Sequence, residues 1–192
     1  MSVKVGIVGA TGYAGVELVR ILSTHPGVQI AALSSVSFEG KPLSEVYPSL
    51  RGRCDLECET QEAVVGRSDV IFACMPHGLS QTLAAECAKR DKLFIDLGAD
   101  FRLESEEEYQ AWYGGRYDDK ALHEQAVYGL PELFREKIRG KKIIGNPGCY
   151  PTSIALGLFP ALRAGMADEP IIIDSKSGVT GAGRGLSQTT HF

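Results

Sequence analysis

The sequence predicts an α/β fold built on a doubly wound parallel sheet. Three observations carry that prediction. Short apolar runs alternate with stretches of helical spacing along most of the chain. A glycine turn separates the first apolar run from the first helical stretch. The composition is that of an ordinary globular chain, with 44% apolar and 23% charged residues among 192, enough to bury a core without disulfides or a structural metal.

Val3–Val8 reads as a buried strand, residues 9–15 as the glycine turn, and residues 13–24 as a helix with Val16, Leu18, Val19 and Leu22 on its apolar side. His25-Pro26-Gly27 stops that helix. Residues 28–33 form the next strand, completing a right-handed βαβ unit. Strands are expected at 69–74, 93–97 and 142–145, and helices at 79–90, 105–112 and 150–162, the last tolerating Pro151 in its first turn. A further strand is expected at 171–176. Residues 1–148 therefore read as a Rossmann-type domain, and residues 149–192 as the beginning of a second, α+β domain that is cut short.

Charge and cysteine usage exclude several classes. The net charge is −4, from 20 basic and 24 acidic residues, and no basic stripe marks a nucleic-acid face. No apolar run approaches the ~18 residues that a membrane span needs. The chain passes from Met1-Ser2 straight into a strand with no secretory signal pattern, so the five scattered cysteines are expected to be reduced cytoplasmic thiols. Cys54-x-x-x-Cys58 lacks a second ligand pair, so no metal is expected. The acidic run Glu104, Glu106, Glu107, Glu108 is better explained by a capping box at Ser105-x-x-Glu108 than by a ligand site.

Gly9-Ala10-Thr11-Gly12-Tyr13-Ala14-Gly15 has G-x-x-G-x-x-G spacing between a strand and a helix. Glycines there permit a tight turn and bring backbone N–H groups and the helix N-terminus to a pyrophosphate. Gly9, Thr11, Gly12, Tyr13, Ala14 and Gly15 are the candidate cofactor contacts. The second strand ends without the carboxylate that favours NAD. Ser34, Ser35 and Lys41 stand there instead and could accept a 2′-phosphate, so NADP is the expected cofactor. The bland alternative is a serine-lined loop. Pro76, His77 and Gly78 follow the strand at 69–74 and are well placed to touch the cofactor, with a structural loop histidine as the equal alternative. The carboxylates and Arg102 of residues 96–102 are expected to pair internally.

Asn146-Pro147-Gly148-Cys149-Tyr150-Pro151-Thr152 carries the sharpest chemistry. A strand ends, a Pro-Gly turn follows, and Cys149 opens a helix whose positive end favours a thiolate and a developing oxyanion. Cys149 is the candidate nucleophile, while Cys74 and Cys87 read as inert packing. A thiolate beside a nicotinamide suggests thioester formation on an activated carbonyl, followed by reduction to an aldehyde. Asn146, Ser177, Gly178 and Arg184 are the candidate substrate contacts, the last three in the glycine-rich loop 177–184, where Arg184 can bind an anion bidentately; the alternative is a flexible connection.

Five motifs together resemble one family, the N-acetyl-γ-glutamyl-phosphate reductases, along nearly the whole chain. They are residues 9–15, Pro76-His77-Gly78, Asp96-Leu97-Gly98-Ala99-Asp100-Phe101-Arg102, Tyr128-Gly129-Leu130-Pro131-Glu132 and residues 146–152. The resemblance implies a cytoplasmic, NADPH-dependent step of arginine biosynthesis that converts an acyl phosphate to N-acetylglutamate semialdehyde, with Cys149 as nucleophile and residues 177–184 near substrate. It implies that residues 1–148 bind NADP, that residues 149–192 begin a catalytic and dimerisation domain, and that the full-length protein is a homo-oligomer. Val36 stands where many relatives have Arg, and Gly98 where Ser is frequent. The family's acid/base histidine falls beyond Phe192, and that role does not transfer to His191, so this chain is expected to be inactive alone. Aspartate-semialdehyde dehydrogenase and a non-catalytic NADP-binding sensor are the competing readings.

Overall fold

The computed structural model describes residues 2–166, 170–185, 188 and 190. The chain begins β1 (Val3–Val8), α1 (Tyr13–Leu22), β2 (Val28–Ser34) and α2 (Leu43–Val46). It continues β3 (Cys58–Glu59), α3 (Gln61–Arg67), β4 (Val70–Ala73), α4 (Gln81–Lys89) and β5 (Leu93–Asp96). Then follow α5 (Glu106–Tyr113), α6 (Lys120–Glu124), β6 (Ala126–Tyr128), α7 (Pro131–Ile138), β7 (Ile143–Gly145) and α8 (Cys149–Arg163). The seven strands form one parallel sheet in the order β3-β2-β1-β4-β5-β7-β6. This is the doubly wound architecture expected, with the order reversing direction between β1 and β4.

Helices cover both faces of the sheet. In β1, Ile7 and Val8 point to opposite faces and are 0% and 1% exposed, as in a strand covered on both sides. One apolar cluster gathers Val5, Ile7, Val19, Leu33 and Leu43 under α1 and α2. The other gathers Val8, Val64, Ile71, Leu83, Phe94 and Ile143 under α3 and α4. Each buried Leu, Ile or Phe contributes ~1.5–3 kcal/mol. Exposed ion pairs such as Arg90–Glu86 are worth under ~1 kcal/mol, so the two clusters hold the sheet.

Helix ends follow their capping residues. Thr60 accepts from Ala63 N at 3.2 Å to open α3, and Asp119 accepts from Leu122 N at 3.1 Å to open α6. Ser105 caps α5 through Glu108 N at 3.3 Å, and the Ser105 hydroxyl donates to Glu107 at 2.7 Å. The acidic run is thus a helix start, with Glu107 rather than Glu108 closing the cap. Gly114, left-handed at φ 71°, ends the same helix.

One expected strand does not form. Residues 171–176 belong to no sheet, and Ile172 is 90% exposed. A strand needs a neighbour for its backbone ladder, and no described residue pairs with this segment. Conversely, β3 and β6 hold only two and three residues, too few for periodicity to reveal.

Candidate active site

Every strand of the sheet ends on one register row. Glu59 lies beside Ser34, Ser34 beside Val8, Val8 beside Ala73, Ala73 beside Asp96, Asp96 beside Gly145, and Gly145 beside Tyr128. The loops that leave this row, at the carboxyl edge where doubly wound sheets bind ligands, carry the five motifs that bear the resemblance; the glycine-rich loop 177–184 follows no strand. Backbone bonds carry the row one residue further: Cys74 N donates to Val8 O, Leu97 N to Ala73 O and Asn146 N to Asp96 O, at 2.8 to 2.9 Å.

The glycine turn opens α1. Gly9 N and Ala10 N both donate to Ser34 O, at 3.1 and 2.9 Å, and Gly12 N donates to Gly9 O. Gly9 sits at φ +79°, a conformation that side chains oppose. A Cβ on Gly15 would fall 2.3 Å from Gly9 O, so only glycine lets the helix close on the turn. Gly12 caps α1 in extended conformation with no side-chain acceptor. The first-turn amides of Tyr13, Ala14 and Gly15 have no acceptor within the helix and suit a phosphate. A buried Thr11–Ser35 hydroxyl bond of 2.6 Å joins this turn to the end of β2, and the Tyr47 hydroxyl donates to Thr11 O at 2.8 Å. Lys41 is exposed, and its backbone carbonyl accepts from Cys58 N.

The cysteine turn opens α8 from the end of β7. Gly148 again caps the helix without a side-chain bond, and Cys149 is its first residue. Cys149 is the exposed member of five free cysteines; Cys54, Cys58 and Cys87 are buried. Burial pushes the Cys74 and Cys87 thiols up to about 12, in keeping with inert packing. Arg102 holds the turn from below, donating from Nε to Asn146 O at 2.7 Å and from Nη2 to Leu97 O at 2.8 Å. A Cβ on Gly148 would lie 3.4 Å from Arg102 Nη1. The Asn146 side chain donates to Pro147 O, and the Thr152 hydroxyl donates to Gly148 O.

Between the two turns runs the Pro76-His77-Gly78 loop, exposed and pinned at its end by Asp100. That carboxylate accepts from Gly78 N at 2.5 Å, Ser80 N at 2.9 Å, and the Ser80 and Tyr109 hydroxyls at 2.8 Å. Although burial raises its pKa, these donors together hold Asp100 below the usual carboxylate value. Asp96 accepts from Gly98 N and Asp100 N, but burial dominates and lifts it to about 6. The carboxylates of this motif are thus satisfied internally, by amides and hydroxyls, while Arg102 goes to backbone carbonyls. His77 stacks obliquely on Tyr113, with ring centroids 5.6 Å apart.

The glycine-rich loop divides. Ser177 and Gly178 are exposed and bonded to each other, the Ser177 hydroxyl donating to Gly178 O. Arg184 instead reaches the glycine turn, where its Nη1 donates to Thr11 O at 3.2 Å. His191 lies outside the described residues. Sequence reasoning did not anticipate Tyr47, Tyr109 or the grip of Arg102 on Asn146, contacts that span 36, 9 and 44 residues and leave no local signal.

The family profile described as semialdehyde dehydrogenase, NAD binding domain, matches residues 4–141. The chain belongs to the semialdehyde dehydrogenase family. The dimerisation domain of semialdehyde dehydrogenases matches residues 149–192. Curated relatives named N-acetyl-γ-glutamyl-phosphate reductase include those of Clostridium beijerinckii, 53% identical over 99% of this chain, and Desulforamulus reducens, 54% identical over 99%. The chain spans about half the length of these relatives, 56% of each. Among solved structures, aspartate semialdehyde dehydrogenase with NADP from Candida albicans superposes at TM-score 0.63 and 18% identity, covering 86% of this chain and 48% of that one. Aspartate semialdehyde dehydrogenase II from Vibrio cholerae superposes at 0.63 and 22% identity, covering 85% and 43%. At such identities the superpositions show the fold. No helix among the described residues is long and apolar enough to cross a membrane.

Proposed function

We propose that this chain carries the cofactor-binding and nucleophile-bearing segments of an NADPH-dependent N-acetyl-γ-glutamyl-phosphate reductase. The observation that carries the reading is the exposed Cys149 at an uncapped helix mouth, on the same sheet edge as the glycine turn. The names of relatives at 53% and 54% identity support N-acetylglutamyl phosphate over aspartyl phosphate as the substrate. In this reading residues 1–148 hold NADP(H), and residues 149–192 begin the catalytic and dimerisation unit. Exposed Phe159, Leu162 and Ile172 fit self-association. The setting is the cytoplasm.

The residues present suit the cofactor. Backbone amides of Tyr13, Ala14 and Gly15 would hold the pyrophosphate, Ser34 and Ser35 would meet the adenosine ribose, and residues 76–78 would touch the nicotinamide portion. When bound, NADPH supplies the hydride that reduces the acyl group. Cys149 Sγ attacks the acyl-phosphate carbonyl carbon; the C–O bond to phosphate breaks and inorganic phosphate leaves, giving a thioester. The amides of Cys149 and Tyr150 stabilise the oxyanion in this step and again after reduction. Collapse of the resulting thiohemiacetal breaks the C–S bond, releases the aldehyde and returns the thiolate. Asn146, Ser177 and Gly178 are the proposed substrate contacts.

The test uses a protein extended to the length of its relatives. NADPH consumption should be far faster with N-acetylglutamyl phosphate than with aspartyl phosphate, and mass spectrometry should find a trapped acyl adduct on Cys149. Preference for aspartyl phosphate, or an adduct on another residue, refutes the reading.

A further inference from the structure

We infer that Arg184 is the cation that selects the 2′-phosphate of NADP, reaching it from the second segment of the chain rather than from the loop after β2. The inference rests on the proposed reading of the glycine turn as a dinucleotide site. In doubly wound folds the end of the second strand meets the adenosine ribose, and an arginine near that point accommodates a 2′-phosphate. Here β2 ends at Ser34, and the residues that follow are Ser35, Val36, Ser37 and Phe38, none of them charged. Val36 is 89% exposed. The loop therefore offers hydroxyls but no guanidinium of its own.

Arg184 fills that gap from 150 residues further along the chain. Its guanidinium lies 5.1 Å from the centroid of Phe38, in the same loop, and 5.5 Å from that of Tyr47. Its Nη1 donates to Thr11 O, the carbonyl that also accepts from the Tyr47 hydroxyl. Thr11 is in turn bonded to Ser35 at 2.6 Å. One cation, two rings and three hydroxyls thus meet where the glycine turn touches the end of β2. Two aromatic faces orient the guanidinium plane. A guanidinium has five N–H donors, and among the described residues Thr11 O is its hydrogen-bond partner and no carboxylate pairs with it. An edge remains for bidentate binding of a phosphate. Lys41, the other cation nearby, is an exposed ammonium that neither ring orients.

Equilibrium titration of this 192-residue chain tests the inference, with NADP+, NAD+, adenosine 2′,5′-bisphosphate and AMP as probes. Arg184→Ala should weaken NADP+ and the bisphosphate by about 10- to 100-fold, the scale of a lost charge-assisted pair. NAD+ and AMP should stay within about twofold, Arg184→Lys should recover part of the loss, and the melting temperature should hold because Arg184 is exposed. Lys41→Ala should leave the NADP+ to NAD+ ratio nearly unchanged. An equal loss for NADP+ and NAD+ in Arg184→Ala, or a preference that follows Lys41, overturns the inference and leaves the dinucleotide site standing. Failure of the unaltered chain to bind any of the four probes overturns both.

Discussion

The mouths of α1 and α8 share one backbone and differ in what they offer. Gly12 and Gly148 cap the two helices at φ −73°, ψ 163° and φ −72°, ψ 164°. Both follow a parallel strand, and neither has a side-chain cap. The α1 mouth is closed by glycine packed on glycine and leaves three backbone donors in its first turn. The α8 mouth leaves two, since Pro151 has no N–H, and puts a thiol at the first position. One is shaped for a multiply charged group that stays whole; the other suits a single oxyanion that comes and goes. Their supports differ as well. The α1 turn is held by main-chain bonds to Ser34 and by the hydroxyls of Ser35 and Tyr47, whereas the α8 turn hangs on one charged side chain, Arg102, from the neighbouring strand's loop.

The largest expected effect breaks this division at the thiol. Cys149→Ser in a protein of full relative length should lower kcat by about 10^3-fold or more while NADP+ binding is kept; a kcat within tenfold removes the covalent step. Next comes a pair of opposite sign. Gly15→Ala should cost about 3 kcal/mol in urea unfolding, because its Cβ would meet Gly9 O at 2.3 Å. Gly157→Ala, in the interior of α8 where an added Cβ would meet nothing within 4 Å beyond its own helix backbone and chain neighbours, should stabilise by ~0.5–1 kcal/mol. Equal effects at the two sites would show that the α1 turn has slack. Arg102→Met, which removes the bonds to Asn146 and Leu97, should cost about 2 kcal/mol yet leave NADP+ affinity unchanged; a fall in that affinity would mean that the two mouths are not separately supported.

The last effect concerns pH. Burial raises Asp96 to about 6 from an ordinary 3.8, so the folded chain keeps a proton that the unfolded chain releases. That contribution is whole below about pH 4 and is lost as pH rises through about 6. His123, lowered from 6.5 by burial, acts in the opposite sense: its contribution is present above 6.5 and fades as pH falls. The two act in opposite directions in the intact chain. Asp96→Asn removes only the first, so the variant should gain on the wild type in melting temperature between about pH 4.5 and pH 7.5. A constant difference across that range would show that Asp96 is ionised throughout.

The glycine turn, the cysteine turn and the Ser105 cap were legible in the sequence because residue type alone carries them. Glycine spacing, Pro-Gly before Cys149 and Ser-x-x-Glu are local patterns with local causes. What joins them was not legible. Ser34, Val8, Ala73, Asp96 and Gly145 share a row only after the strands are ordered, and β3 and β6 are too short to read. The triple isoleucine at 171–173 misled for the converse reason: an apolar run signals willingness to pair but does not supply the neighbour. Arg184 carried its own signal as an anion binder, but its contact with Thr11 spans 173 positions, and no spacing rule covers that distance.

The shared row of strand ends also acts as a ruler. From β1 to β7 there are three interstrand steps, so the two helix mouths stand ~14 Å apart at the usual strand spacing. That gap is set by main-chain ladders and comes in whole steps. Point substitutions can retune what each mouth grips, but only gaining or losing a strand would change the length of molecule that spans both.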